Sequence, residues 1–162
     1  MANLIGGTVT EIGADRINTF TSSGTLTVLD GGLVHILAVG AGGGGGILGG
    51  GGGGSGEVVD TYVILSPGTY TVTIGAGGAA APSASGSVGA NGSKGGNTTV
   101  GVIITAEGGG AGRGFNQAAA TNGFSGGGGS SSSTTSAGTT GGAGTTGYPG
   151  GIGVYDSPFL VG

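Results

Sequence analysis

The chain has 162 residues, of which 48 are glycine and 4 are proline, and its formal net charge is −4. Only three residues are basic, so the sequence lacks the basic stripe that is typical of nucleic-acid binding. It has no cysteine, no apolar run of the ~20 residues that span a membrane, and no signal-peptide pattern after Met1.

Glycine and proline at this level are typical of low-complexity or disordered chains. Two features of the composition argue against simple disorder. Apolar residues make up 35% of the chain and charged residues only 6%, so self-repulsion cannot keep it expanded. Fixing the backbone of each residue costs about 1–2 kcal/mol, so any ordered glycine run needs dense compensating contacts.

The first predicted elements are strands. Residues 1–13 are expected to form an N-terminal arm. The stretches "INTFTS" (17–22) and "TLTVL" (25–29) alternate in polarity and flank Ser23-Gly24, which predicts a hairpin. The nearly continuous apolar run "LVHILAVG" (33–40) predicts a central strand, with His35 packing or bonding locally.

Three further strand stretches follow along the chain. They are "EVVDTYVIL" (57–65), "TYTVTIG" (69–75) and "NTTVGVIITAEG" (97–108), the last of which predicts one long strand or two short ones. In the second of these, the apolar side chains at 70, 72 and 74 share one face and threonines share the other. We therefore expect residues 14–108 to form an all-β unit, a small antiparallel sandwich of six or seven strands without α-helix.

Glycine-rich stretches separate the strands and dominate the region 109–162, which we expect to pack on the β unit. Disorder is the ordinary interpretation of such sequence. The alternative is that extended three-fold polyglycine II helices pack side by side and bond through their backbones. We favour the second alternative. Collagen is excluded because glycine does not recur at every third position.

The stretch "GAGGGG" (Gly40–Gly45) satisfies the G-x-G-x-x-G pattern of dinucleotide-binding turns, and acids follow at Glu57 and Asp60. That pattern works by opening a helix whose N-terminus binds the pyrophosphate. Glycine costs about 1 kcal/mol per residue in a helix relative to alanine, so no helix can begin here. We expect no cofactor, and we interpret the two acids as solvated strand-edge residues.

The stretch "GFSGG" around Ser125 matches the nucleophile-elbow pattern but has neither the preceding strand nor the following helix. The only histidine, His35, lies upstream of it. With no cysteine and dispersed acids, the chain offers no metal cluster and no acid–base constellation. We therefore expect a protein that is not an enzyme and that holds no metal.

The second half of the chain contains few large side chains, and aromatic and arginine residues are the types that anchor interfaces. These residues are candidates for contact with a receptor or partner, although local packing is the alternative. They are Arg113, Phe115, Asn116, Gln117, Asn122, Phe124, Tyr148, Tyr155 and Phe159.

An ordered series of blocks covers about residues 17–112: "FTSSGTLTV", "VHILAVGAGGGGG", "GGGGGSGEVV", "LSPGTYTVTIGAGG", "NGSKGGNTTV" and "ITAEGGGAG". This series resembles the glycine-rich domain of tailed-bacteriophage tail-fibre and virion proteins. The second half is also similar to the distal adhesins of T-even-like phage fibres, in which stacked polyglycine helices present loops to the host receptor.

The resemblance implies a virion protein that is made in the host bacterial cytoplasm and contacts other virion proteins. We expect a tail-fibre or tail-tip adhesin that binds a host surface protein or glycan, with the arm at 1–13 or the β face attaching it as a separate subunit. The alternative is a capsid decoration, cement or tail subunit without a receptor. An ice-binding protein is a further alternative, but the regular repeat of such a surface is missing. A thin core also favours a homo-oligomer such as a trimer.

Overall fold

The computed structural model of the protein describes residues 2–83, 88–131 and 139–153. Over these residues the chain forms β-strands and no α-helix, which confirms the predicted all-β class. The strands are β1 (Asn3–Ile5), β2 (Thr8–Ile12), β3 (Asp15–Thr19), β4 (Gly24–Asp30), β5 (Gly32–Val39), β6 (Val58–Leu65), β7 (Gly68–Thr73), β8 (Thr98–Val100) and β9 (Ile104–Ala106).

Five strands form one antiparallel sheet in the order β1-β4-β7-β8-β9. The alternation predicted for β7 and the residue after it is confirmed, because Val72 is buried and the threonines of β7 are exposed. The last predicted stretch forms two short strands, β8 and β9, around the turn at Gly101, where φ is +52°.

A second sheet is the two-stranded ribbon of β5 and β6, which packs over β8 and β9. The core between the two sheets is small. Leu65 of the ribbon and Ala106 of the five-stranded sheet are completely buried, and Val28 is 2% exposed. The two layers form the sandwich-like unit that the alternation predicted.

The predicted hairpin between 17–22 and 25–29 is wrong. Strand β3 pairs with β2 through a two-residue turn at Gly13 and Ala14, and φ at Gly13 is +63°. Strand β4 has β1 on one side and β7 on the other, so no edge is left for β3. Residues 1–13, predicted as an arm, contain β1 and β2.

The prediction that 33–40 is a central strand is also wrong. Among the described strands, β5 pairs with β6 alone, and its residues alternate between half-buried or buried and exposed. Leu33 and Leu37 are 65% and 64% exposed. The apolar run therefore has one side on the core and one side that nothing in the described part of the chain covers.

Beyond the strands, the described residues form eight extended segments that are not β-strands. All of them are rich in glycine, and they run side by side through backbone hydrogen bonds. We number them I (40–47), II (50–57), III (75–81), IV (89–97), V (107–115), VI (123–131), VII (139–145) and VIII (147–153).

The hydrogen bonds of these segments repeat every third residue, which is the period of a polyproline II helix. In segment I, the amides at positions 40, 43 and 46 donate to segment II, at carbonyls 57, 54 and 51. The amides at 41, 44 and 47 donate to segment IV, at carbonyls 96, 93 and 90. Packed three-fold glycine helices are the arrangement that this pattern requires.

Steric contact explains why glycine fills the inner positions of the segments. A Cβ added at Gly43 would lie 2.0 Å from the carbonyl oxygen of Gly110, and one at Gly112 would lie 2.0 Å from that of Gly51. Real Cβ atoms do not approach carbonyl oxygens so closely. Neighbouring segments can therefore pack this closely only where the position that faces the neighbouring backbone is glycine.

Candidate functional site

The glycine segments have a sheet end and a far end. Segments I, III and V begin directly after or close to β5, β7 and β9, so position 40 and its neighbours lie at the sheet end. The far end holds the turn between segments I and II and the residues that follow segment V. We call these far-end turns, residues 47–50 and 115–118, the tip.

Backbone bonds hold the two tip turns together. The amide of Phe115 donates to the carbonyl of Ile47 over 3.1 Å, and the carbonyl of Phe115 accepts from Gly89 over 2.8 Å. Two non-glycine residues of the tip have left-handed backbone, Leu48 with φ +56° and Asn116 with φ +53°. These conformations are uncommon outside glycine and mark tightly defined turns.

Asn91 fixes the second tip turn from the side. Its Oδ1 accepts from the Gly114 amide over 2.8 Å, and its Nδ2 donates to the carbonyl of Ala118 over 3.4 Å. The Gln117 amide closes the turn on the carbonyl of Gly114 over 3.2 Å. The tip is thus held by hydrogen bonds within the chain.

Three of the predicted contact residues lie at the tip. Phe115 and Gln117 are half-buried, and Asn116 is exposed. Arg113 lies one turn inward and is half-buried, with a buried Nε that has no hydrogen-bond partner among the described residues. Its side chain is therefore less accessible to a partner than the side chain of an exposed contact residue.

A second group of predicted residues lies away from the tip, near the sheet end. The amide of Phe124 donates to the carbonyl of Gly108 over 3.0 Å, and Oδ1 of Asn122 accepts from the Ala143 amide over 2.8 Å. Tyr148 is 84% exposed on the same side of the molecule. The predicted set is therefore two groups rather than one surface.

The remaining predicted contact residues, Tyr155 and Phe159, lie outside the described residues. No group of three potential metal ligands occurs in the part of the chain that is described. No helix among the described residues has the length and apolar character to cross a membrane.

The acids near the sheet end have structural partners. Glu57 accepts the amide of Glu107 on its Oε2 over 2.9 Å, so it joins segments II and V. Glu107 accepts from Thr145 and from Lys94, and these two hydrogen bonds lower the pKa of its carboxyl group. Asp60 is exposed, as predicted, whereas Glu57 is half-buried, so the prediction that it is a solvated residue is wrong.

The predictions from the sequence missed one cluster of contacting side chains. His35 bonds Asp60 through Nε2, and its ring stacks on Tyr62 with 4.4 Å between the ring centroids. All three lie on the exposed side of the β5–β6 ribbon. The signal was present, because a polar residue in the middle of an apolar run breaks the pattern of a strand buried on both sides.

No curated protein and no solved structure gave a significant match. A family profile described as a glycine-rich domain matches residues 19–159, which covers β4 to β9 and all the glycine segments. The second half, with its low-complexity sequence, therefore belongs to the same family unit as the sandwich. The chain is a member of the glycine-rich domain family.

Proposed function

We propose that the protein is a non-catalytic subunit of a bacteriophage virion, a tail-fibre or tail-tip adhesin whose tip turns bind a host surface glycan or protein. The observation that carries the proposal is the tip itself. Turns with left-handed residues are held at one end of a bundle by backbone hydrogen bonds. Such a bundle presents loops that have little conformational entropy to lose on binding.

The side chains at the tip favour recognition of a surface over chemistry. Leu48 is 44% exposed and Val88 is 51% exposed, and backbone hydrogen bonds join their chain neighbours Ile47 and Gly89 to Phe115. Exposed apolar side chains near the side-chain amides of Asn116 and Gln117 are the kinds of group that contact a glycan or a protein surface. We place the receptor contact at these residues and not at Tyr148.

Binding to cells tests this proposal. Fluorescently labelled protein is applied to a panel of bacterial strains, and binding is measured by flow cytometry. We expect strain-selective binding that falls at least ten-fold when Phe115→Ala and Gln117→Ala are combined. The matched control is Tyr148→Ala, which removes an exposed aromatic residue from the other group and should leave binding unchanged.

Two results would refute the proposal that the protein is an adhesin. One is equal, weak binding to every strain. The other is selective binding that survives the tip variant, provided that thermal unfolding shows both variants to be folded.

A second candidate function is favoured by the exposed apolar side of the β5–β6 ribbon. A decoration, cement or tail subunit without a receptor would use such a surface to join neighbouring subunits. Counting copies in purified particles separates the two functions. Hundreds of copies favour decoration, whereas a few or a few dozen favour a fibre or tail part.

A further inference from the structure

The β5–β6 ribbon continues into the glycine bundle. Segment I follows β5 directly and segment II precedes β6, and the two segments pair antiparallel as the strands do. The result is one long two-chain ribbon, residues 32–47 and 50–65. One side packs on β9 and segment V. We call the opposite side the outer ribbon face.

The strand half of the outer ribbon face is apolar and uncovered. Leu33 and Ile64 stand directly opposite each other and are 65% and 79% exposed. The other large apolar side chains of this half are also more than half exposed, and they are Leu37, Val39, Val58 and Tyr62. Monomeric proteins rarely expose large contiguous apolar patches, and such patches mark interaction sites.

The charge on this face is small. Asp60 is the one carboxylate there among the described residues, and it is bonded to His35. A chain with a net charge of −4 would otherwise repel a second copy of itself. The location of the remaining described acids off this face removes that obstacle.

The glycine half of the face lacks side chains where there is room for them. A Cβ at Gly52 would meet nothing within 4 Å, and one at Gly42 or Gly45 would meet only a carbonyl oxygen at 3.7 or 3.6 Å. None of the three has a left-handed φ. No contact among the described residues requires glycine at these positions, although glycine loses the most entropy on ordering. Close approach of another backbone does require it.

On this half of the face, one row of backbone amides and one row of backbone carbonyls have no hydrogen-bond partner among the described residues. Segment I donates to segments II and IV, but its third row of amides, at 42 and 45, donates to no carbonyl in the described chain. Segment II accepts from segments I and VI, but its third row of carbonyls, at 50, 53 and 56, accepts from no described residue. The face therefore carries both a donor row and an acceptor row.

We propose that the outer ribbon face is a self-association surface, occupied by the same face of a second copy of this chain. A two-fold interface needs a self-complementary patch, in which residue i meets j and j meets i. The donor row of one copy can meet the acceptor row of the other in both directions. The apolar half buries against its counterpart.

The size of the face suits a stable pair. Strand residues advance about 3.3 Å each and three-fold helix residues about 3.1 Å, so sixteen residues extend about 50 Å. Two chains about 4.8 Å apart give a width of about 10 Å. The projected area of about 500 Å², increased by the relief of the side chains, approaches the roughly 800 Å² per partner of a standard interface.

Analytical ultracentrifugation of the purified chain at concentrations from about 1 to 100 μM tests the proposal, because a pair with a dissociation constant in this range would be partly dissociated. Three variants are compared with the unaltered chain. Ile64→Lys charges the strand half, Gly45→Leu fills the glycine half where the fold has room, and Val102→Lys adds the same charge at a fully exposed turn off the face. Circular dichroism and thermal unfolding confirm that each variant is folded.

We expect the unaltered chain and Val102→Lys to self-associate with equal dissociation constants. Ile64→Lys and Gly45→Leu should each raise that constant at least ten-fold. If the unaltered chain is still monomeric at about 100 μM, the proposal is overturned. It is also overturned by association that both face variants leave unchanged, or that Val102→Lys weakens equally. Because none of these variants alters the tip, the outcome is independent of the cell-binding test.

Discussion

The sandwich and the glycine bundle solve the same folding problem with different groups. In the sandwich, side chains such as Val28 and Leu65 are removed from water between two sheets. In the bundle, almost no side chain is buried, and the segments are joined by backbone hydrogen bonds that recur every three residues. The first region depends on what the side chains are, and the second depends on their absence.

This difference changes which substitutions each region tolerates. A sandwich core loses stability when a side chain becomes smaller, because a cavity forms. The bundle loses stability when a side chain becomes larger by one methyl group, because the neighbouring carbonyl is already at contact distance. The following predictions test that contrast, from the largest expected effect to the smallest.

The largest effect is expected for Gly78→Ala. Its Cβ would lie 2.0 Å from the carbonyl oxygen of Ser93 and 2.5 Å from the Gly44 amide nitrogen, so segments I, III and IV must separate. We expect a loss of more than about 4 kcal/mol in the free energy of unfolding, measured by denaturant titration. The adjacent Gly77→Ala is the control. Its Cβ meets nothing, and it should stabilise by about 0.4–1 kcal/mol. Equal effects of the two would contradict the packed bundle.

The matching prediction for the sandwich is Leu65→Ala. Leu65 is fully buried in the core, so its truncation should cost about 2–5 kcal/mol in the free energy of unfolding. Val102→Ala, in the fully exposed turn between β8 and β9, should change stability by less than about 0.5 kcal/mol. A neutral Leu65→Ala would show that the two sheets are not packed as described.

Asn91→Ala should have an intermediate effect, located in the bundle. The substitution leaves the buried Gly114 amide without its acceptor, which costs about 1–3 kcal/mol. Hydrogen exchange of the Gly114 amide measures it most directly. Exchange there should accelerate, while exchange at the Val72 amide in the sandwich changes only as far as global stability falls. An unchanged rate at Gly114 would refute the role of Asn91.

The smallest effect concerns pH. Hydrogen bonds from Thr145 and Lys94 lower the folded-state pKa of Glu107, so the stability that it contributes is present above the unfolded pKa of about 4.3. That stability is lost as pH falls through the lower folded-state pKa. Glu107→Gln should therefore flatten the dependence of Tm on pH below about 4.3. Identical acid limbs for the unaltered chain and Glu107→Gln would contradict this.

The same contrast explains how much the sequence could predict. Alternation with period two located β6 and β7 because their side chains report which face is buried. It failed for β5, since an apolar run has the same letters whether its second face meets a core or an uncovered outer surface. The pairing of β3 with β2 was missed because a Gly13-Ala14 turn and a Ser23-Gly24 turn are equally good local signals.

The bundle was predictable in kind but not in arrangement. Glycine carries no side chain to specify a neighbour, so the sequence cannot say that segment I bonds segments II and IV. For the same reason, the predicted contact residues could not be divided into a tip group with Phe115 and a sheet-end group with Tyr148. Their separation follows from the register of the segments alone.

Residue-resolved hydrogen exchange over segment I tests the central claim most directly. In the Ile64→Lys variant, where self-association should be weakened, the amides at 40, 41, 43, 44, 46 and 47 donate to carbonyls and should exchange slowly. Those at Gly42 and Gly45 should exchange fast, which gives a repeating slow–slow–fast triplet. Uniformly fast exchange from 40 to 47 would contradict this pattern and show that the glycine segments are not joined by backbone hydrogen bonds.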